Sequence, residues 1–166
     1  TLNNDGKTTA IGEGSVVGIL TGDDITITNN GETEVDGGAA VIVNGDRTTL
    51  DTVGDVEIAN GGTGSVITGD DARVEIKGDM TVDGANSTGS KISGEDAIVR
   101  QQGDLYVSGG AHGIDAEGKG TVISNKGNIT VVDDSSIGVL LDGDQTTFMN
   151  IGDINVGQAD GDGNPY

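Results

Sequence analysis

His112, in "GGAHGID" (109–115), is the only histidine in this chain, and an imidazole that titrates near neutral pH is the natural first candidate for acid–base catalysis. It has no cysteine to activate, because the chain contains none. No serine stands at a strand-to-helix nucleophile turn. His112 therefore reads as a loop residue. Carboxylates are far more plentiful, with 28 Asp and Glu. Two of them at the right separation would make a glycosidase dyad, but so many acids bring some pair together by chance, and count alone assigns none. "DGDGN" (160–164) places Asp160, Asp162 and Asn164 as alternating oxygen donors on a glycine-rich loop, a donor set that suits Ca²⁺. The loop lacks the later bidentate Glu of an EF-hand, and an acidic tail is the simpler reading; whether it binds calcium stays open. Arg47, Arg73 and Arg100 fall two, four and six residues past a recurring glycine, so they form neither a column nor a basic patch. The sequence thus assigns no catalytic, cofactor-binding or metal-ligating residue, and no cofactor is expected.

Composition narrows the remaining classes. The formal charge of −20 repels nucleic acid and anionic membranes, since phosphate binding needs Lys and Arg to displace counterions. It favours solubility and cationic partners. Tyr106, Phe148 and Tyr166 are the only aromatics, so a core must be built from Val, Ile, Leu, Thr and Ala. Absence of cysteine excludes disulfides and thiolate metal sites. No apolar run approaches the roughly 20 residues that span a bilayer, and no signal peptide is visible. The chain begins at Thr1 and reads as a segment of a longer protein. High charge with low hydrophobicity also marks disordered chains, but the apolar residues are too regularly spaced for that.

The spacing is a repeat. Gly22, Gly45, Gly69, Gly94, Gly118 and Gly143 are each followed nine residues later by Gly31, Gly54, Gly78, Gly103, Gly127 and Gly152. The period is about 24 residues, and Gly6 is an earlier echo. The residue after each glycine is usually Asp. Five residues past the first glycine stands an apolar column, Ile27, Leu50, Val74, Val99, Ile123 and Phe148. Two residues before it stands another: Leu20, Val43, Ile67, Ile92, Ala116 and Leu141. After the second glycine come "DVEI", "DMTV", "DLYV", "NITV" and "DINV".

Alternation over three to five β-branched residues means a strand with one buried face. Each unit therefore holds three short strands and three corners. Gly-Asp marks two corners, where Gly supplies unusual backbone angles and Asp bonds its own turn. The third corner is Gly37-Gly38, Gly61-Gly62, Gly84, Gly109-Gly110, Asp133-Asp134 and Gly157. A chain that turns three times and returns is a coil, and stacked coils make an all-β, parallel, right-handed β-helix. It occupies residues 1–157 as about six coils plus a partial N-terminal one, with an acidic Gly-rich tail at 158–166. The column Asn29, Thr52, Ile76, Gln101, Asn125 and Asn150 is expected to be an internal ladder whose side chains bond backbone groups of the next coil. Phe148 is expected to point inward and Thr147 outward.

These acidic, Cys-free coils with "G-D-[IVLM]-x-V" strands resemble the passenger regions of autotransporters of Gram-negative bacteria. "NKGNITVVD", "AAVIVNGD" and "NIGDINV" are especially similar to the large enterobacterial passengers described as surface-exposed virulence proteins of the BigA type. The resemblance spans about residues 3–157. It implies export to the cell surface, outer-membrane attachment through a C-terminal β-barrel not in this sequence, and a role in host-cell adhesion, virulence or bacterial aggregation. It carries no catalytic motif.

Two function classes follow. The first is a structural or adhesive stalk, with a host-cell surface or matrix ligand, or another bacterium, as partner. The second is a polysaccharide-binding or polysaccharide-degrading β-helix, a lyase or glycoside hydrolase. The near-absence of aromatics to stack on sugar rings, and of long loops to build a cleft, favours the stalk and a non-enzymatic role. An ice-binding face would need an unbroken Thr ladder, and Thr26, Thr49, Arg73, Ile98, Val122 and Thr147 break it. The segment is expected to be monomeric in dilute solution and to insert in no membrane.

Overall fold

The computed structural model describes residues 1–133 and 135–157, and among them twenty short strands and no helix. The strands rotate strictly among three sheets. The first sheet takes Leu2–Asn4, Thr26–Asn29, Thr49–Thr52, Arg73–Ile76, Ile98–Gln101, Val122–Asn125 and Thr147–Asn150. The second takes Thr8–Ile11, Thr33–Asp36, Val56–Ala59, Met80–Asp83, Leu105–Ser108, Ile129–Val131 and Ile154–Val156. The third takes Val16–Thr21, Ala39–Asn44, Thr63–Thr68, Thr88–Ser93, His112–Glu117 and Ile137–Asp142. All strand pairs are parallel, and each joins residues one repeat apart: Val74 lies between Leu50 and Val99. This is a parallel β-solenoid of about six turns, three strands and about 24 residues per turn. At about 4.8 Å per turn it forms a rod about 30 Å long.

The predicted apolar columns line its axis. Val43, Ile67, Ile92, Val74, Val99 and Ile123 are completely buried, and the second sheet adds Ile58, Val82 and Val107. Each fully buried Ile or Val contributes about 1.5–3 kcal/mol of apolar transfer, so the core rests on repetition of medium-sized aliphatics. Phe148 requires a correction. It aligns with Ile123 in the inward column yet is 38% exposed, because no described residue stacks on its far side. Ile154 and Val156 share this situation.

Both glycine columns are kept by close stacking, since a Cβ on Gly94 would meet the Gly69 carbonyl just as one on Gly78 would meet that of Gly54, and the first column also needs positive φ. At the first corner the expectation of unusual backbone angles holds: Gly94 has φ +151°, and two residues on Asp96 is left-handed at φ +57°. At the second corner close stacking acts without a positive φ. A Cβ on Gly78 would lie 2.5 Å from the carbonyl carbon of Gly54, one coil below, so only a residue without a side chain lets the coils approach. The third-sheet strands also break simple alternation. Gly64-Ser65, Gly89-Ser90 and Gly113-Ile114 are adjacent residues that are both buried.

Candidate functional site

The corner aspartates form two ladders along the rod. At the first corner, Asp23 Oδ1 accepts the backbone N–H of Asp46 (3.1 Å), Asp46 Oδ1 that of Asp70 (2.9 Å), and Asp70 Oδ1 that of Glu95 (2.8 Å). At the second corner, Asp55, Asp79 and Asp104 accept the N–H of Asp79, Asp104 and Asn128 at 2.8–2.9 Å, and Asn128 accepts that of Asp153 at 3.1 Å. These acids therefore bond the coil above, contrary to the expectation that each bonds its own turn. The physical reason is the tight turn, which leaves one corner N–H directed along the axis; a short carboxylate from below gives it a charge-assisted partner.

The amide column is internal, as expected, but its bonding is mainly within the coil. Asn29 Nδ2 donates to the Gly31 carbonyl (3.0 Å) and to Thr33 Oγ1 (2.8 Å). Gln101 Nε2 donates to the Gly103 carbonyl (3.0 Å), and Asn125 and Asn150 donate to Gly127 and Gly152. Each amide thus satisfies the corner carbonyl two residues ahead, a short-range bond that these side chains favour. Links between coils are fewer: Asn4 to Asn29 (2.6 Å), Asn125 to Asn150 (2.8 Å), and Gln101 to the Gly78 carbonyl (3.4 Å). Thr52 and Ile76 interrupt the ladder.

His112 opens a third-sheet strand and does not sit in a loop. Its Nδ1 lies 3.9 Å from Asp115 Oδ2, and Lys91 Nζ, one coil below, reaches Asp115 (3.2 Å) and Glu117 (3.1 Å). Hydrogen bonds to Glu117 and then to Asp115 raise the Lys91 pKa above its ordinary value. Asp115 is buried and its Oδ1 has no partner. Here the cation compensates a desolvated carboxylate across adjacent coils, an ion-pair staple, and His112 flanks it between Thr88 and Ile137 in its own column.

Arg47 sits at a corner and bonds Asp24 through two nitrogens (2.7 and 3.0 Å), which holds the Asp24 carboxyl below the usual range. Arg73 and Arg100 lie on neighbouring strands of the first sheet, in different columns. They share that side of the rod with Lys77 and Asp51 (2.8 Å apart) and with Glu75, which accepts from Gln102 (2.5 Å). Thr26, Thr49, Arg73, Ile98, Val122 and Thr147 do form one column, with the interruption its sequence shows. Asp160, Asp162 and Asn164 lie outside the described residues. At the third corner Asp133 accepts from Ser136 Oγ (2.9 Å), from the N–H of Ser135 (3.0 Å) and from the N–H of Gly109.

Sequence reasoning missed the buried Asp115 and the adjacent buried pairs of the third sheet. The signal for the latter was present, since Gly64, Gly89, Gly113 and Gly138 recur at the coil period. No family model, curated protein or solved structure matches this chain.

Proposed function

We propose that the chain is a segment of a surface-displayed stalk, structural or adhesive in role, of the kind that autotransporter passengers supply to Gram-negative bacteria. Its outward faces meet a host-cell surface or matrix ligand, or the same protein on another cell. One observation carries the reading: the polar residues with chemical potential are engaged in bonds that hold the rod, the Asp ladders and Lys91 between coils and the amides mainly within them. The Asp ladders, the amide column and the Lys91 staple all serve the rod itself. A weak polar face on such a rod gains strength when many copies act together. Passenger-like export is the reading that the sequence resemblance supports, and the absence of cysteine suits it.

The test compares cells with and without the parent protein for host-cell binding and self-aggregation, while the purified chain is screened against acidic and neutral polysaccharides. Reduced adhesion or aggregation on deletion, without turnover, is the expected result. Turnover of any polysaccharide overturns the stalk reading. Unchanged adhesion and aggregation remove the adhesive role and leave only a spacer.

A further inference from the structure

The outer face of the first sheet gathers cations that their spacing past the glycines keeps apart. Arg100 stands at its centre, between Glu75 one coil below and Ser124 one coil above. Three more cations are its diagonal neighbours, each one coil and two residues away. Arg73 pairs in register with Ile98. The column just past the strand carries Lys77, Gln102 and Lys126, since Gln102 and Lys126 donate their N–H groups to the Ile76 and Gln101 carbonyls. One coil step and two strand residues put such neighbours about 8 Å apart at Cα, within the reach of long side chains. Four of the eight Lys and Arg residues thus share one patch of a rod whose net charge is −20.

The acids of this patch are already committed. Lys77 holds Asp51 at 2.8 Å, which raises the Lys77 pKa. Glu75 accepts from Gln102 and lies 4.0 Å from Arg73. Among the described residues no carboxylate pairs with Arg100 or Lys126. Arg100 is half-buried, and its Nη1 is covered without a hydrogen-bond partner, so a partly desolvated guanidinium is left uncompensated. A carboxylate on the exposed part of that planar, delocalised group supplies the missing charge. Lys126 is exposed beside it, and Ser124 adds a hydroxyl. The corner ladders bound the patch on both sides, with Asp70 and Glu95 before the strand and Asp79 and Asp104 after it. Those rows repel a long polyanion but leave room for one carboxylate on an otherwise neutral molecule. Peptides dock by adding a strand to a sheet edge or by filling an apolar groove. Here the strand is paired on both sides, and its neighbours are hydroxyl, amide and charge. We propose that this patch binds an acidic sugar carried on a neutral glycan. Arg100 and Lys126 hold its carboxylate, and the Ser124 hydroxyl and the Gln102 amide oxygen meet its ring hydroxyls. The inference rests on the adhesive reading above and names the class of its ligand.

Arg47, Arg73 and Arg100 are the only arginines, so three side-chain Nε–H resonances report the test. Methyl glucuronoside is titrated into the ¹⁵N-labelled chain, with methyl glucoside, acetate and N-acetylglutamate methylamide as parallel arms. The expected result is a saturable shift of Arg100 and of the Ser124 and Lys126 amides, and none of Arg47, which Asp24 already holds. Methyl glucoside, which lacks the carboxylate, should bind at least about tenfold more weakly. Acetate, which lacks the ring, should also bind more weakly than the glucuronoside. Arg100→Gln should abolish the Ser124 and Lys126 shifts. Lys126→Gln, at an exposed position, should weaken them and decides the matter should Arg100→Gln fail to fold by circular dichroism. No saturable shift, equal shifts of Arg47 and Arg100, or binding unchanged in these variants overturns the proposal. Acetate that binds as tightly as the glucuronoside makes this a site for any small anion, and an equally tight N-acetylglutamate methylamide makes it a peptide site; either overturns the sugar assignment. Because the purified chain is used, failure here leaves the cell assay of adhesion standing, and unchanged adhesion on deletion leaves this binding result standing.

Discussion

Asp79 accepts a backbone N–H from the coil above and does so through a single oxygen, so the ladder needs an acceptor and not a charge. Asn128 already fills that role at the same corner. Asp79→Asn should therefore be neutral or slightly stabilising, since it also removes a like charge from an acidic column. Asp79→Ala should cost about 1 kcal/mol, the net worth of the lost bond. Urea midpoints of the two variants check this, and equal losses would show that charge is what matters. Ile123 and Phe148 separate column from burial. Ile123→Ala should cost about 2–5 kcal/mol, whereas half-exposed Phe148→Ala should cost no more than about 1–2 kcal/mol, because much of its ring is already in water. Asp133 sets a pH dependence. Burial pushes its carboxyl upward, but the bonds from Ser136, Ser135 and Gly109 outweigh it and hold the folded-state pKa below the ordinary value of 3.8. A depressed acid stabilises above its unfolded pKa and loses that contribution as pH falls through its folded one. The stability advantage of the parent over Asp133→Asn should be level from about pH 7 to about pH 5, then shrink below about pH 4. Thermal melts across that range read it directly, and an advantage that grows on acidification would contradict the assignment.

At the scale of the coil, the glycines of both corner columns set how closely turns can stack. Gly78→Ala would drive a methyl into the backbone of Gly54, and no side-chain rotation relieves a clash with backbone. A loss of about 3 kcal/mol or more is expected, at the upper end of overpacking costs; Thr147→Ala, on the outward face, should stay within about 0.5 kcal/mol. Denaturant titrations of the pair test whether the column is steric. This element was legible in the sequence as a repeat, because glycine identity, nine-residue offset and apolar columns all recur at one period. Its cause was not legible: a glycine kept for close approach alone and one that also needs positive φ are the same letter. The same limit hid the direction of the Asp bonds, since a side chain that bonds one coil away leaves no local spacing to read. The ladder amides were legible as polar residues in an otherwise apolar register, but whether they bond ahead in their own coil or across to the next depends on side-chain reach. Lys91 and Asp115 were invisible as a pair because they are 24 positions apart and meet only once the coils stack.

For the molecule as a whole, charge distribution decides how stability responds to salt. Of the eight cations, Lys91 is held by Asp115 and Glu117, Arg47 by Asp24, Lys77 by Asp51 and Lys7 by Glu34. An excess of 20 negative charges remains, much of it in corner columns whose neighbours are one coil, about 5 Å, apart. That separation is shorter than the screening length of about 8 Å at physiological ionic strength, so repulsion runs along the ladders and opposes stacking. Two effects compete when salt is added. Screening weakens the ion pairs, but these are exposed on at least one partner, and such surface pairs contribute little to stability. It also relieves the repulsion of the unpaired majority, which is the larger quantity because repulsive neighbours outnumber the cations. The thermal midpoint should therefore rise as sodium chloride goes from about 0.01 M, where the screening length is near 30 Å, to about 0.15 M, and then level off. Thermal melts by circular dichroism across that series measure it. A midpoint that falls over the same range would mean that the cross-coil ion pairs, and not the backbone-capping ladders, dominate the electrostatics of the rod.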